Sequence, residues 1–288
     1  MASEVFTLGH SPDPDDAFMF YAMAKNKIDL RGYRFEHRLE DIQTLNERAL
    51  RGELHISAIS IHAFAYVSDR YALLPCGASM GDGYGPMVVA LDPQGLPEDP
   101  TDEQVRAWLR GRTIAIPGKM TSAYLALQLY LGDFDHVVVP FDQIFDSVKS
   151  GQAAAGLIIH EGQLTYARAG FRKVIDLGEW WKRETNLPLP LGGNVLRKDI
   201  PPAVQRDLLA IMRESIDYGL AHRQEAVAHS MPYARDMDAG LAGKFIGMYV
   251  NDYTRDYGTT GRRAVREFLR VAQERGYIET APVVEFAE

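Results

Sequence analysis

The residues best able to do chemistry stand at the ends of apolar runs. His160 closes the run Gly156-Leu157-Ile158-Ile159 and is followed by Glu161-Gly162. Ligands in open α/β sheets bind beyond the carboxyl ends of the strands, so an imidazole there is placed to face a cleft. Its ordinary pKa near 6.5 suits proton removal at neutral pH. On position alone a general base and a packed core histidine are evenly matched. Thr121 and Ser122, in Gly118-Lys119-Met120-Thr121-Ser122-Ala123-Tyr124, lie between a strand and a helix. Two hydroxyls and the free N–H groups of a helix start can cradle a carboxylate or phosphate, although a plain cap at Thr121 is the ordinary alternative. Ser57 and Ser60 follow the third strand. Ser11-Pro12-Asp13-Pro14-Asp15-Asp16 is a loop stiffened by its prolines, with Ser11 and Asp16 as candidates to orient ligand hydroxyls. Backbone groups around Gly85-Pro86 and Asn194 complete the candidate set.

Other chemistries fail on spacing. His160-Glu161-Gly162-Gln163-Leu164 begins like a zinc-protease helix, but Leu164 stands where the second histidine is required. The segment Gly118–Ser122 has neither the glycine spacing nor the Lys-Ser/Thr order of a phosphate-binding loop. Gly81-Asp82-Gly83-Tyr84-Gly85 precedes a strand instead of following one, which is the wrong context for a dinucleotide fingerprint. The single cysteine, Cys76, reads as a buried small hydrophobe, and Trp180-Trp181 as packing. A net charge of -8 with dispersed basic residues argues against a nucleic-acid surface. No apolar run approaches the ~20 residues that would cross a bilayer. Met1–Gly9 lacks the basic start of a secretory leader, so the cytoplasm is the expected compartment.

These residues need a scaffold that alternates strands and helices. Strands are expected at 5–9, 33–39, 54–59, 71–75, 85–91, 113–116, 137–139, 155–159 and 171–177. Asp15 or Asp16 caps the helix of residues 17–23, Asp41 opens another, and Thr101-Asp102-Glu103-Gln104 has the capping-box pattern. Residues 200–276 read as almost wholly helical. Three prolines between Asp92 and Pro100 mark a linker, and Leu187-Pro188-Leu189-Pro190-Leu191-Gly192-Gly193 a second. The expected fold is therefore α/β, with mixed sheets flanked by helices in two lobes and a ligand cleft between them. Residues 1–91 and 188–288 form the large lobe, and 92–187 the small inserted one.

Several of these segments together resemble the 1,4-dihydroxy-6-naphthoate synthase family of the futalosine route to menaquinone. They are Ser11–Asp16 with Phe18-Met19-Phe20-Tyr21, Glu40–Asn46, Asp69-Arg70-Tyr71, Gly85-Pro86, Thr121–Tyr124, Gly156–Glu161 with Thr165-Tyr166, and Pro188–Gly192. The resemblance implies a fold like the type II periplasmic binding proteins. It implies a lyase that converts cyclic dehypoxanthine futalosine to 1,4-dihydroxy-6-naphthoate by breaking a carbon–carbon bond. His160 matches the family's proton-abstracting histidine, and Thr121 and Ser122 match positions that hold substrate or its carboxylate. The implied partner is a small anionic carboxylate metabolite, with no metal or organic cofactor; a homodimer stays open. Two segments depart from the family pattern, at three positions. Asp13 and Asp15 stand where the family's first loop often has Cys and Asn, and Ala58 stands where it often has Lys. A solute-binding protein of the same fold and the sister enzyme chorismate dehydratase are the alternatives.

Overall fold

The computed structural model describes residues 4–235, 237–280 and 282–288. Met1–Ser3, part of the stretch read above for a leader, lie outside the described residues. Eleven strands are found among the described residues: β1 Val5–His10, β2 Arg34–Leu39, β3 Ile56–Ser60, β4 Tyr71–Leu73, β5 Ser79–Gly81, β6 Met87–Ala90, β7 Ile114–Ile116, β8 His136–Val138, β9 Ala155–Ile158, β10 Arg172–Asp176 and β11 Leu189–Arg197. They form two mixed sheets flanked by helices, as the alternating pattern requires. The first has the order β2-β1-β3-β11-β4 with β5 also on β11, and the second the order β10-β6-β9-β7-β8. Parallel pairs (β1 with β2 and β3; β7 with β8 and β9) are joined through helices, and β6, β10 and β11 run antiparallel to their neighbours.

One expected boundary and one expected linker differ from the structure. Residues 85–91, expected in the large lobe, hold β6, which pairs with β9 and β10 in the second sheet. The first crossing therefore lies between Gly81 and Met87, ahead of the proline-rich stretch. The apparent linker of residues 187–193 is largely strand: β11 starts at Leu189 and is bonded to β3, β4 and β5. Pro190 is tolerated there because the register against β5 shifts between Pro190 and Gly192. The two crossings lie against each other at Gly85 and Gly178. A Cβ on Gly178 would stand 1.9 Å from the Tyr84 carbonyl oxygen, so only glycine allows the backbones to touch.

Local signals set the helix starts that matter for the cleft. Asp41 accepts N–H bonds from Gln43 and Thr44 and caps the helix Ile42–Arg51. Thr101 and Gln104 form the reciprocal capping box. Thr121 caps Ser122–Leu131, whose buried face of Leu125, Ala126 and Leu129 joins a core that also contains Ile59, Val88, Leu157 and Val195. That core touches both sheets and sets the lobes close together. A second core, with Phe6, Phe18, Ile56, Leu208 and Ile216, lies between the first sheet and the C-terminal helices. Burying such side chains is worth roughly 1.5–3 kcal/mol each. No helix among the described residues is long and apolar enough to cross a membrane.

Candidate active site

A cavity of about 120 Å³ lies between the lobes, and its wall draws on the first loop, β3, β11, the Ser122 helix start and the C-terminal helices. Of the expected residues, Ser11, Asp16, Ser60, Pro86, Thr121, Ser122 and Asn194 line it, together with Asp13, Asp15 and Ala58. Ser57, Gly85 and His160 do not. Ser57 is fully buried and donates to the Ala58 carbonyl at 2.8 Å. Its side chain takes the opposite face of β3 from Ala58 and Ser60, as period-2 alternation demands. Gly85 serves backbone packing against Gly178. Just past the end of β9, Ile159 lines the cavity and His160 does not.

His160 is 9% exposed. Its ring meets Phe141 and Phe145 edge-on, with centroids 5.7 and 6.0 Å away. Nδ1 accepts the Gly162 N–H at 3.0 Å, so in the neutral ring the proton sits on Nε2. Nε2 is buried without a hydrogen bond of ordinary geometry among the described residues. Burial, and next the charge of Arg235, push the ring down to about 4, against a smaller upward effect of the Phe141 backbone and Asp142. His160 is thus neutral at physiological pH, but its one lone pair is engaged. Accepting a proton requires release from the Gly162 N–H. Phe141 also lines a separate groove of about 410 Å³ with Asp41, Gln43, Pro117 and Asp142, so the imidazole lies one aromatic ring behind that groove.

The first loop is organised by its own acids. The helix Pro14–Met19 has Asp13 at its N-cap with no side-chain cap, so neither Asp15 nor Asp16 plays the expected capping part. Asp16 instead accepts the Ser11 N–H at 2.6 Å, and the Ser11 hydroxyl donates to Asp13 at 2.9 Å. Burial raises all three carboxyls: Asp13 above the usual range, Asp15 well above it with Asp16 and Asp13 adding to the rise, and Asp16 to about 7. Asp16, raised to about 7, stands beside an anionic ligand partly as a neutral hydrogen-bond donor.

Thr121 and Ser122 are already engaged. The Thr121 hydroxyl donates to Gly118 at 2.8 Å and accepts the Tyr124 N–H; that of Ser122 donates to Leu191 at 2.5 Å and accepts the His62 N–H at 3.1 Å. Their protons are committed, and the donors left for an anion are the first-turn N–H groups of Ser122 and Ala123. Asn194 donates to the Gly77 carbonyl at 3.0 Å, while its Oδ1 is buried with no partner among the described residues. Asn46 escaped the sequence reading as a site residue. Fully buried, it accepts the Ser60 N–H at 2.8 Å and donates to the Ser60 hydroxyl at 3.0 Å and to the Met120 carbonyl at 3.3 Å. A polar residue on the buried face of an amphipathic helix was the available signal. Cys76 is fully buried, with its thiol pushed up to about 12, and Trp180 and Trp181 are core residues.

The sequence matches the family described as menaquinone biosynthesis over residues 6–274. The chain belongs to that family. It is 39% identical to the 1,4-dihydroxy-6-naphthoate synthase of Thermus thermophilus, covering 97% of this chain and 98% of the relative. It is 34% identical to the enzyme of the same name from Streptomyces coelicolor, covering 96% of each. A solved structure from Archaeoglobus fulgidus shares 42% identity with a TM-score of 0.89, covering 96% of this chain and all of that one. The alkanesulfonate-binding protein SsuA of Xanthomonas axonopodis, bound to MOPS, shares the fold at 10% identity with a TM-score of 0.74, covering 98% of each. A Candida albicans protein described as having the generic periplasmic binding protein fold matches at 13% identity and 0.70, covering this whole chain and 98% of that one. The family member described here therefore has the two-lobed architecture of small-molecule-binding proteins.

Proposed function

We propose that this chain is a 1,4-dihydroxy-6-naphthoate synthase acting in the cytoplasm on cyclic dehypoxanthine futalosine. The observation that carries the reading is near full-length likeness to the Thermus enzyme, and an interlobe cavity of the matching segments supports it. In this reading the substrate's carboxylate meets the N–H groups of Ser122 and Ala123. Its sugar-derived hydroxyls meet Ser11, Asp13, Asp15 and Asp16. His160 takes a proton from the carbon framework; the electron pair left behind forms the last double bond of the aromatic ring as the adjacent carbon–carbon bond breaks, and the pair from that bond leaves with the sugar-derived fragment, which takes up the proton from His160. Sites for ligands of this size run to roughly 300–1,000 Å³, against about 120 Å³ here. The lobes therefore part to admit substrate; Phe141 and His160 stand on the same lobe, so uncovering the imidazole takes a turn of the Phe141 side chain itself.

A second reading gives the base to Asp16, because that carboxyl lines the cavity, which His160 does not, and is raised to about 7. His160→Asn and Asp16→Asn separate the two. General-base loss costs ~10²–10⁴-fold in turnover. The leading reading expects that loss in His160→Asn, with calorimetric substrate affinity within a few-fold of wild type. Full turnover in His160→Asn, with the loss in Asp16→Asn, would transfer the role.

A further inference from the structure

Two buried side-chain atoms on the cavity wall lack a hydrogen bond among the described residues, Asp13 Oδ1 and Asn194 Oδ1. Asp13 Oδ1 has the Arg235 guanidinium 3.6 Å away. Asn194 Oδ1 is a neutral acceptor on a residue only 1% exposed. The orientation of its amide is fixed. Nδ2 donates to the Gly77 carbonyl at 3.0 Å, and the reverse orientation would set two acceptors against each other. Gly77 has φ +77°, and a Cβ there would stand 2.3 Å from Nδ2, so glycine is what lets the amide seat on that carbonyl. Strand register fixes where the side chain points. Asn194 of β11 is paired with Ala58 of β3, and Gly192 with Ser60; paired residues share a face, and Ala58 and Ser60 line the cavity. The intervening pair, Gly193 and Ile59, faces the other way, where a Cβ on Gly193 would meet Tyr257 and Leu73 of the core. Asn46, the buried amide on the neighbouring helix, spends its oxygen on the Ser60 N–H. Asn194 keeps its own unspent.

A buried acceptor without a donor is costly, and roughly 5- to 150-fold in affinity depends on whether a ligand supplies one. The wall around Asn194 selects the part of the ligand that comes there. Ala58, Gly77 and Gly193 carry no long side chain, and Ile59 and Pro86 are apolar, so the surface suits a flat ring. We propose that Asn194 is a specificity-determining residue whose Oδ1 accepts the proton of a hydroxyl borne by the ligand's ring. The inference rests on the lyase reading for the identity of that ring, a dihydroxynaphthoate at the end of the reaction. An acceptor held in this way favours a hydroxyl over a bare C–H, which leaves it unpaired, and over a keto oxygen, which opposes it lone pair to lone pair.

The test is calorimetric titration, without oxygen, of 1,4-dihydroxy-6-naphthoate and of 2-naphthoate, which has the same rings and carboxylate and no hydroxyl. The proteins are the wild type and Asn194→Leu, which keeps the size of the side chain and loses the acceptor. The wild type should bind the dihydroxy compound at least ten-fold more tightly than 2-naphthoate. In Asn194→Leu that preference should shrink to less than about three-fold, with the affinity for 2-naphthoate itself within about three-fold of wild type. A preference that survives in Asn194→Leu overturns the proposal, as does a wild type that binds the two equally or binds neither. If Asn194→Leu does not fold, Asn194→Ala is held to the same criteria. Turnover of cyclic dehypoxanthine futalosine is followed in parallel. Its absence from the wild type, with the preference and its loss as stated, refutes the lyase reading and leaves the acceptor role standing. Turnover without the preference overturns the acceptor role alone.

Discussion

The acid limb of the pH–rate profile is set by whichever group removes the proton, and the candidate groups differ sharply. The limb in kcat/KM reports the free enzyme. Burial and Arg235 place His160 at about 4. The sign follows directly: protonation removes the base, so activity is full above that value and falls below it. At pH 5.5 a base of pKa 4 is roughly 97% unprotonated, whereas an ordinary histidine near 6.5 would be about 9% so. The structure therefore predicts roughly ten-fold more residual activity at pH 5.5 than an exposed imidazole would give. If Asp16 is the base, its value of about 7 predicts only about 3% of full activity at that pH. The assay is initial-rate formation of the naphthoate product from pH 4.5 to 9 at subsaturating substrate, with folding checked at each point. A limb near 4 supports His160 as the structure places it. A limb at 6.5 refutes the argument that burial holds the ring neutral, and one at 7 moves the role to Asp16.

Three further outcomes follow from contacts already described. Gly178→Ala forces a Cβ against the Tyr84 carbonyl and should cost about 1–3 kcal/mol in a denaturant melt; an unchanged melt would mean the crossings are not locked together there. Thr121→Ala removes a cap worth about 1 kcal/mol while raising KM less than roughly three-fold, because the hydroxyl proton is committed to Gly118; a larger rise would put that hydroxyl directly on the ligand. His62 is buried and lowered to about 4, below its unfolded value of 6.5. Its stabilisation is therefore present above pH 6.5 and is lost as pH falls towards 4, by about 3 kcal/mol at most. His62→Gln should flatten that slope in urea melts between pH 7 and 4.5, and an unaltered slope would contradict the assignment.

Signals that act over a few residues were legible in the sequence. The caps at Asp41, Thr101 and Thr121 stand where their side chains meet the first free N–H groups. Partnerships set far along the chain were not. The Pro-Leu-Pro-Leu-Gly-Gly stretch has the composition of a linker, and only its pairing with β3, β4 and β5 makes it a strand. β6 reads as a buried strand in either lobe, because burial does not say which sheet supplies its neighbours. In the site, residue types were readable and facing was not. Ser57 and His160 sit one residue out of phase with Ala58 and Ile159, a difference decided by where each strand ends. Arg235 carried no motif, and its reach to Asp13 and its charge on His160 exist only in three dimensions.

The most direct test is to incubate the purified protein with cyclic dehypoxanthine futalosine and follow the products by chromatography and mass, with chorismate in a parallel reaction. The account predicts 1,4-dihydroxy-6-naphthoate in step with substrate loss, and no change in chorismate. Tight binding of the futalosine derivative without turnover would contradict it in favour of a binding protein, and consumption of chorismate would contradict it in favour of the sister enzyme.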